Sequence, residues 1–178
     1  MTFSSQFIKY IPPEEIEEIN KTESFYKYLI YVVIYGPGVL CILSIILLYK
    51  DLRFAFLFIA GYLISTKICY TIKANVKQLR PKDEALLIKE EKMYRKKVVS
   101  EKYGMPSCSM QRLAYSTTFM YFALGKSNII ILYLIVYFIT MYERLKYKHH
   151  NWKQVAVGSI IGAFIGYASY IFGKIMFK

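Results

Sequence analysis

The two histidines of the chain, His149 and His150, lie side by side in a short polar stretch that also contains Arg144. An imidazole can attack phosphorus as a nucleophile, and a guanidinium can neutralise phosphoryl oxygens through its planar fork of N–H donors. If a helix begins near Asn151, Gln154 lies one turn beyond His150 and can bond the second imidazole nitrogen, which would set the tautomer. The stretch suggests phosphate chemistry, although a basic, aromatic-flanked loop that anchors two helices at lipid headgroups has the same composition.

A second polar stretch ends at Pro81 and contains Lys73, Lys77 and Arg80. Their spacing of i, i+4 and i+7 places the three cations on one face of a helix, which Pro81 cannot continue with its geometry intact. At the depth of lipid headgroups, such a row of cations predicts a phosphate cradle. The alternative is the ordinary positive flank of a membrane-spanning helix.

A third polar stretch surrounds Ser107 and comes directly before an apolar run. Ser107 is a suitable N-cap, so the backbone N–H groups of residues 108–110 would be free to bind phosphate. The alternative is a capped helix without a ligand. The cysteines predict no disulfide framework. Cys41 and Cys69 lie in apolar runs and are interpreted as core thiols, and Cys108 is interpreted as structural.

Long apolar blocks must position these three stretches. The chain has 178 residues, of which 56% are hydrophobic, and its aromatic residues gather near the block ends, as they do at membrane interfaces. We predict an all-α fold, a polytopic membrane helical bundle with five spans over residues 28–49, 54–74, 107–124, 127–141 and 155–172. Residues 1–27 are expected to form an N-terminal amphipathic interfacial segment, and residues 28–178 the membrane domain.

The span order determines where the polar stretches meet. Because two spans return the chain to the side where it began, the loop 75–106, the start of the third span and the loop 142–154 share one face. In the fifth span, the repeat of Gly158, Gly162 and Gly166 predicts close contact with another helix. The net charge of +12 favours anionic headgroups or phosphorylated lipids as partners, and no nucleic-acid-binding motif is present.

Three motifs together, Lys-x6-Arg-Pro, Pro-Ser and Arg-x5-His, in this order between spans, resemble the type 2 phosphatidic acid phosphatase superfamily. The residues before Ser107 and the stretch from His150 through Trp152 to Gln154 are similar to one branch, dolichyl-diphosphatase, in which Gln commonly replaces the Asp of other members. The resemblance implies an α-helical membrane bundle that uses no metal or other cofactor. It also implies hydrolysis of dolichyl (polyprenyl) diphosphate to the monophosphate and phosphate through a phosphohistidine.

The same resemblance implies a location and a set of site residues. It predicts a multi-pass protein of the endoplasmic reticulum membrane that recycles dolichyl phosphate for protein N-glycosylation, with its active site in the lumen. The positive-inside rule favours the cytoplasmic side instead, because Lys and Arg are denser on the motif face. By resemblance, His150 is the nucleophile, Gln154 orients it, and the phosphate-binding residues are Lys73, Arg80, Ser107 and Arg144.

The chain departs from the family at Ser109, where the family has a His that protonates the leaving group. Ser109 itself and the neighbouring His149 are auxiliary candidates for this role. General acid catalysis contributes roughly 10²–10⁴-fold, but a phosphate monoester, with its second pKa of about 6, can leave a diphosphate without a proton. Two alternatives stay open: a catalytically impaired member that binds phospholipid or isoprenoid phosphate, and a phosphatase of another lipid phosphate.

Overall fold

The computed structural model describes residues 32, 35–81, 103–125 and 127–177. The predicted amphipathic segment 1–27 and the charged stretch that follows Pro81 lie outside these residues. Within the described part of the chain, the secondary structure consists of five helices and one isolated bridge between Leu79 and Tyr103. The helices are α1 (Tyr35–Leu47), α2 (Leu52–Val76), α3 (Cys108–Leu124), α4 (Ile129–Lys146) and α5 (Trp152–Met176).

The all-α class is confirmed in the described part of the chain, where each predicted span overlaps one helix. The fourth helix, however, continues to Lys146, beyond the predicted end at residue 141. That prediction was set by the loss of hydropathy, but Glu, Arg and Lys are good helix formers and do not end a helix. Arg144 therefore lies in the last turn of α4 and not in a loop.

Two helices, α2 and α5, are long and apolar enough to cross a membrane. Only 28% and 22% of the residues in their most apolar windows are buried inside the protein, so most of these apolar side chains face outward. The core helix of a water-soluble domain would be mostly buried, and outward apolar faces of this size favour contact with lipid. Five spans, including α1, α3 and α4, stay a prediction.

The closest helix contact joins α3 and α5, and it is made by the predicted glycine repeat. A Cβ at Gly158 would overlap the Ser107 carbonyl, and one at Gly162 would overlap the Gln111 carbonyl. A Cβ at Gly166 would lie 2.7 Å from the Tyr115 carbonyl oxygen. The prediction of close contact is confirmed, and it places the start of α5 directly against the start of α3.

Buried hydrogen bonds fix the remaining helices around this pair. The Gln111 amide donates to the Ser65 carbonyl at 2.7 Å and holds α3 to α2, and the Tyr115 hydroxyl donates to the Phe58 carbonyl at 2.8 Å. The hydroxyls of Ser44 and Tyr133 lie 2.9 Å apart and join α1 to α4. Aromatic rings fill the space between α2, α3 and α5: Phe54, Phe58, Tyr62, Tyr115, Phe119 and Tyr170.

Cys69 of α2 and Cys108 of α3 form a disulfide, with 5.8 Å between their Cα atoms. The prediction that Cys69 is a core thiol is therefore wrong. Sequence spacing did not reveal the pair, because it does not show that two residues lie at the same depth on neighbouring helices. Cys41 in α1 is a free thiol, as predicted.

Candidate active site

The chain changes direction directly after α2. The helix ends at Val76 because Lys77 adopts a left-handed conformation (φ 51°, ψ 25°), and the Lys77 N–H bonds the Lys73 carbonyl. Arg80 lies beyond this turn. The expectation that three cations share one helical face is therefore wrong, and Lys77 is exposed.

The segment after α2 pairs with the segment before α3. The Gly104 N–H donates to the Gln78 carbonyl at 2.8 Å, and Leu79 pairs with Tyr103. Lys73, which is 2% exposed, donates from Nζ to the Tyr103 carbonyl at 2.8 Å. These bonds hold the second polar stretch, which ends at Pro81, against the third, which surrounds Ser107.

The side chain of Gln154 ties the polar stretch that contains His150 to the other two stretches. Its Nε2 donates to the Leu79 carbonyl at 3.0 Å, and its Oε1 accepts from the Asn151 N–H at 3.2 Å. Because a carbonyl only accepts and an N–H only donates, these two bonds determine the orientation of the amide. The Asn151 side chain accepts in turn from the Gln154 N–H at 2.9 Å, which completes the capping box that begins α5.

The orientation of the Gln154 amide determines which nitrogen of His150 carries the hydrogen. Nδ1 of His150 lies 3.2 Å from Oε1 of Gln154, and because Oε1 is an acceptor, Nδ1 must donate. In the neutral imidazole, Nε2 then has the lone pair that a nucleophile needs. His150 is 4% exposed, and its backbone N–H donates to the Arg144 carbonyl at 3.0 Å.

Positive charge surrounds the His150 ring. The pKa of His150 is held well below its ordinary value, first by burial and then by the charges of Arg80, Lys73 and Arg144. The hydrogen bond that Nδ1 of His150 donates to Gln154 acts in the opposite direction and raises this pKa. At pH 7 the imidazole is therefore neutral, and it faces a group of cations that suits a phosphoryl ligand.

Ser107 occupies the N-cap position of α3, but its side chain makes no capping hydrogen bond. Its backbone N–H donates to the Gln154 carbonyl at 3.0 Å, so this donor is not left for a ligand. The hydroxyl oxygen is buried and has no hydrogen-bond partner among the described residues. Such a group is costly to leave unsatisfied, and an oxyanion bound beside it would supply the acceptor.

Arg144 reaches the site from the end of α4. Its Nη2 lies 3.5 Å from the Ser109 hydroxyl oxygen, and its Nε lies 3.5 Å from the Glu143 carboxylate. Glu143 is 3% exposed, and its other oxygen lies 3.3 Å from Nε2 of His149. The two auxiliary candidates thus differ: Ser109 contacts Arg144, whereas His149 pairs with Glu143.

Sequence reasoning missed three features of the site. A Cβ at Gly104 would overlap the Gln154 amide, so glycine is needed there. A glycine within a polar motif was the signal for that position, and a carboxylate adjoining Arg144 was the signal for Glu143. The Leu79 carbonyl carried no signal, because every residue has one.

Residues 52–175 match the PAP2 superfamily, and the range includes every site residue from Lys73 to Gln154. The chain belongs to the PAP2 superfamily. No curated protein matches the chain at a significant level, and neither does any solved structure. PAP2 proteins are phosphatases, and membership suggests a phosphatase of lipid phosphates. Among the described residues, no group of three or more His, Cys, Asp or Glu side chains is arranged to hold a metal ion.

Proposed function

We propose that this PAP2 protein is a lipid diphosphate phosphatase that hydrolyses dolichyl (polyprenyl) diphosphate to the monophosphate and phosphate. The observation that carries the proposal is the hydrogen bond between Nδ1 of His150 and Oε1 of Gln154, because it leaves the lone pair on Nε2. Family membership supports a phosphatase. The motif resemblance supports the dolichyl-diphosphatase branch.

In the first step, Nε2 of His150 attacks the terminal phosphorus, and the bond from that phosphorus to the bridging oxygen breaks. The bridging oxygen leaves with the electron pair as part of the lipid monophosphate. The other phosphoryl oxygens are neutralised by Lys73, Arg80 and Arg144, and the Ser107 hydroxyl donates to one of them.

In the second step, water attacks the phosphohistidine, the Nε2–phosphorus bond breaks, and the proton of the water ends on the released phosphate. Throughout both steps the Gln154 carbonyl accepts from Nδ1–H of His150 and keeps the ring in one tautomer. This interaction strengthens while Nε2 carries the phosphoryl group, because the ring is then more positive. Gln154 therefore orients the nucleophile without taking up its proton.

The substrate class follows from Ser109, which by resemblance stands where other family members have a His general acid. A hydroxyl is a poor acid near pH 7, so an alkoxide leaving group would depart unprotonated and slowly. A monophosphate leaving group, with its second pKa of about 6, needs no such help. This difference supports a diphosphate substrate over a phosphate monoester.

The outward apolar faces of α2 and α5 support a membrane location, in which the lipid chain of the substrate stays in the bilayer. By the dolichyl-diphosphatase resemblance, the membrane is that of the endoplasmic reticulum and the site faces the lumen. The role there is recycling of dolichyl phosphate for protein N-glycosylation.

Ser109 also favours a second candidate function: a catalytically impaired protein that binds phospholipid or isoprenoid phosphate. Ser109→His separates the two. If wild type is inactive and Ser109→His gains no activity, the binding function replaces the enzymatic one. If wild type is active, the binding function is excluded as the main role. Efficient turnover of phosphatidate would instead make the protein a phosphatase of another lipid phosphate.

The deciding experiment measures phosphate release by purified protein from three lipids: dolichyl diphosphate, dolichyl phosphate and phosphatidate. We expect phosphate release to be fastest from dolichyl diphosphate and to be lost in His150→Ala. Lys153→Ala is the matched control, since Lys153 is exposed in the same segment. Equal activity of wild type and His150→Ala would refute the enzymatic proposal.

A further inference from the structure

The Cys69–Cys108 disulfide lies directly behind the candidate site. Cys69 precedes Lys73 by one turn of α2, so both residues lie on the same face of that helix. Cys108 follows Ser107 immediately and is the first residue of α3. The disulfide therefore joins the helix that presents Lys73 to the helix that begins at Ser107.

The hydrogen bonds between α2 and α3 start from residues that lie farther along α3 from Ser107 than Cys108 does. The Gln111 amide donates to Ser65, and the Arg112 guanidinium donates to the Thr66 hydroxyl at 3.2 Å. Ser65 and Thr66 are about one turn from Cys69, on the side away from Lys73. The Arg112 guanidinium also donates to the Tyr70 hydroxyl at 3.0 Å, one residue beyond Cys69 on α2, but Arg112 lies one turn farther along α3 than Cys108. Among the described contacts between these helices, the disulfide is the covalent one, and on α3 it lies nearest to Ser107.

The disulfide links residues that are far apart in the sequence. Cys69 and Cys108 are 39 residues apart in sequence, and the charged stretch after Pro81 lies between them. Without the link, the distance from the Lys73 ammonium to the Ser107 hydroxyl would depend on helix packing and on the bond from Lys73 to the Tyr103 carbonyl. A misplacement of about 1 Å at a catalytic site can lower the rate by about 10²-fold.

We infer that the Cys69–Cys108 disulfide is a positioning element of the phosphate site, which holds Lys73 and Ser107 at the separation that one phosphoryl group requires. The inference rests on the proposed function.

The disulfide also indicates which side of the membrane the site faces. Disulfides persist in oxidising compartments, so this end of the bundle faces the lumen or the cell exterior. That assignment opposes the positive-inside count and agrees with the side implied by the motif resemblance.

The test compares wild type with the double variant Cys69→Ala/Cys108→Ala. We expect kcat/KM for dolichyl diphosphate to fall by about ten-fold or more, and inhibition by vanadate, which mimics the phosphoryl transition state, to weaken by a similar factor. Cys41→Ala, which removes the free thiol of α1, is the matched control and should behave as wild type.

A loss of fold stability must be separated from a loss of positioning. Gly166→Ala serves for this, because its Cβ would lie 2.7 Å from the backbone carbonyl oxygen of Tyr115, about two turns along α3 from Cys108, and would lower stability without touching the site. All proteins are assayed at a temperature at which their thermal unfolding curves show them fully folded. If the double variant matches Gly166→Ala in kcat/KM and vanadate inhibition, the positioning role is refuted.

The state of the cysteines in cells is measured independently of activity. Free thiols are blocked during lysis, the protein is denatured and reduced, and the released thiols are counted with a maleimide that shifts the gel band. We expect two released thiols in wild type and none in the double variant. No released thiols in wild type would contradict both the link and the assigned side.

Failure of the proposed function gives a different result from failure of this inference. If wild type hydrolyses no lipid phosphate under any condition, the proposed function fails. Vanadate binding, measured by a thermal-shift assay, still compares wild type with the double variant. Weaker vanadate binding by the double variant would then support the positioning role alone. Equal vanadate binding would refute it.

Discussion

Replacing Gln154 by leucine tests how His150, the proposed nucleophile, is held. Leucine has a similar volume but lacks the carbonyl that accepts from Nδ1 of His150 and the amide that donates to the Leu79 carbonyl. The ring would then populate both neutral tautomers and rotate, so Nε2 would be available and aligned for only part of the time. The variant should fold, because the glycine contacts between α3 and α5 do not involve this side chain.

The expected loss can be estimated from two effects. Misorientation of a reacting group costs about 10²-fold, and loss of the orienting group of a catalytic histidine in a hydrolase triad costs about 10⁴-fold. We therefore expect kcat of Gln154→Leu to fall by about 10²–10⁴-fold, which corresponds to about 2.7–5.4 kcal/mol of transition-state stabilisation. KM should rise less, since the cations proposed to bind the phosphoryl group remain.

A second variant separates the two functions of this side chain. Gln154→Glu loses the donor to the Leu79 carbonyl but keeps an acceptor for Nδ1 of His150. Because it keeps this acceptor, its kcat should exceed that of Gln154→Leu. Its carboxylate should also raise the pKa of His150 and move the acid side of the pH profile upward. The assay is phosphate release from dolichyl diphosphate at several concentrations and pH values. A kcat for Gln154→Leu within three-fold of wild type would refute the reasoning.

Four further predictions concern His150, the α3–α5 contact and Ser109. The acid limb of kcat/KM should lie below pH 6.5, because burial and the nearby cations lower the pKa of His150 and keep Nε2 unprotonated as pH falls; half-loss of activity above pH 6.5 would contradict this. The same shift should lower the unfolding free energy as pH falls below about 6.5, where the unfolded chain takes up a proton that the folded chain resists, and His150→Gln should flatten this slope. Gly162→Ala should destabilise by about 1–3 kcal/mol in denaturant titrations, because its Cβ overlaps the Gln111 carbonyl, whereas Gly38→Ala, which meets nothing within 4 Å, should not. Ser109→His should raise phosphatidate hydrolysis by about 10²-fold or more and diphosphate hydrolysis far less, so an equal gain on both lipids would contradict the leaving-group argument.

The positions of the helices could be predicted because hydrophobic blocks and a glycine repeat are local signals. Span order also predicted that the segments containing Arg80, Ser107 and His150 would meet. Gln154 joins them, because it donates to the Leu79 carbonyl and accepts from the Ser107 N–H. The spacing of His150 and Gln154 predicted their side-chain contact, since residues one turn apart are neighbours at a helix start.

Other features could not be predicted because they depend on contacts distant in sequence or on backbone conformation. The disulfide requires knowledge of helix depth, and the left-handed Lys77 redirects the chain before Pro81 could end the helix. The buried Glu143 lies in a stretch whose hydropathy predicted a loop, although it continues α4. Each of these errors concerns how the segments are connected, and none moves a candidate residue to another end of the bundle.

The most direct test of the central claim is to trap the phosphorylated enzyme. Protein mixed with dolichyl diphosphate is quenched in alkali, in which phosphohistidine survives, and its peptides are analysed by mass spectrometry. We predict one phosphoryl group on Nε2 of His150, released by acid and absent from His150→Ala. Continued turnover of the lipid without phosphate on His150, or phosphate on another residue, would contradict the account.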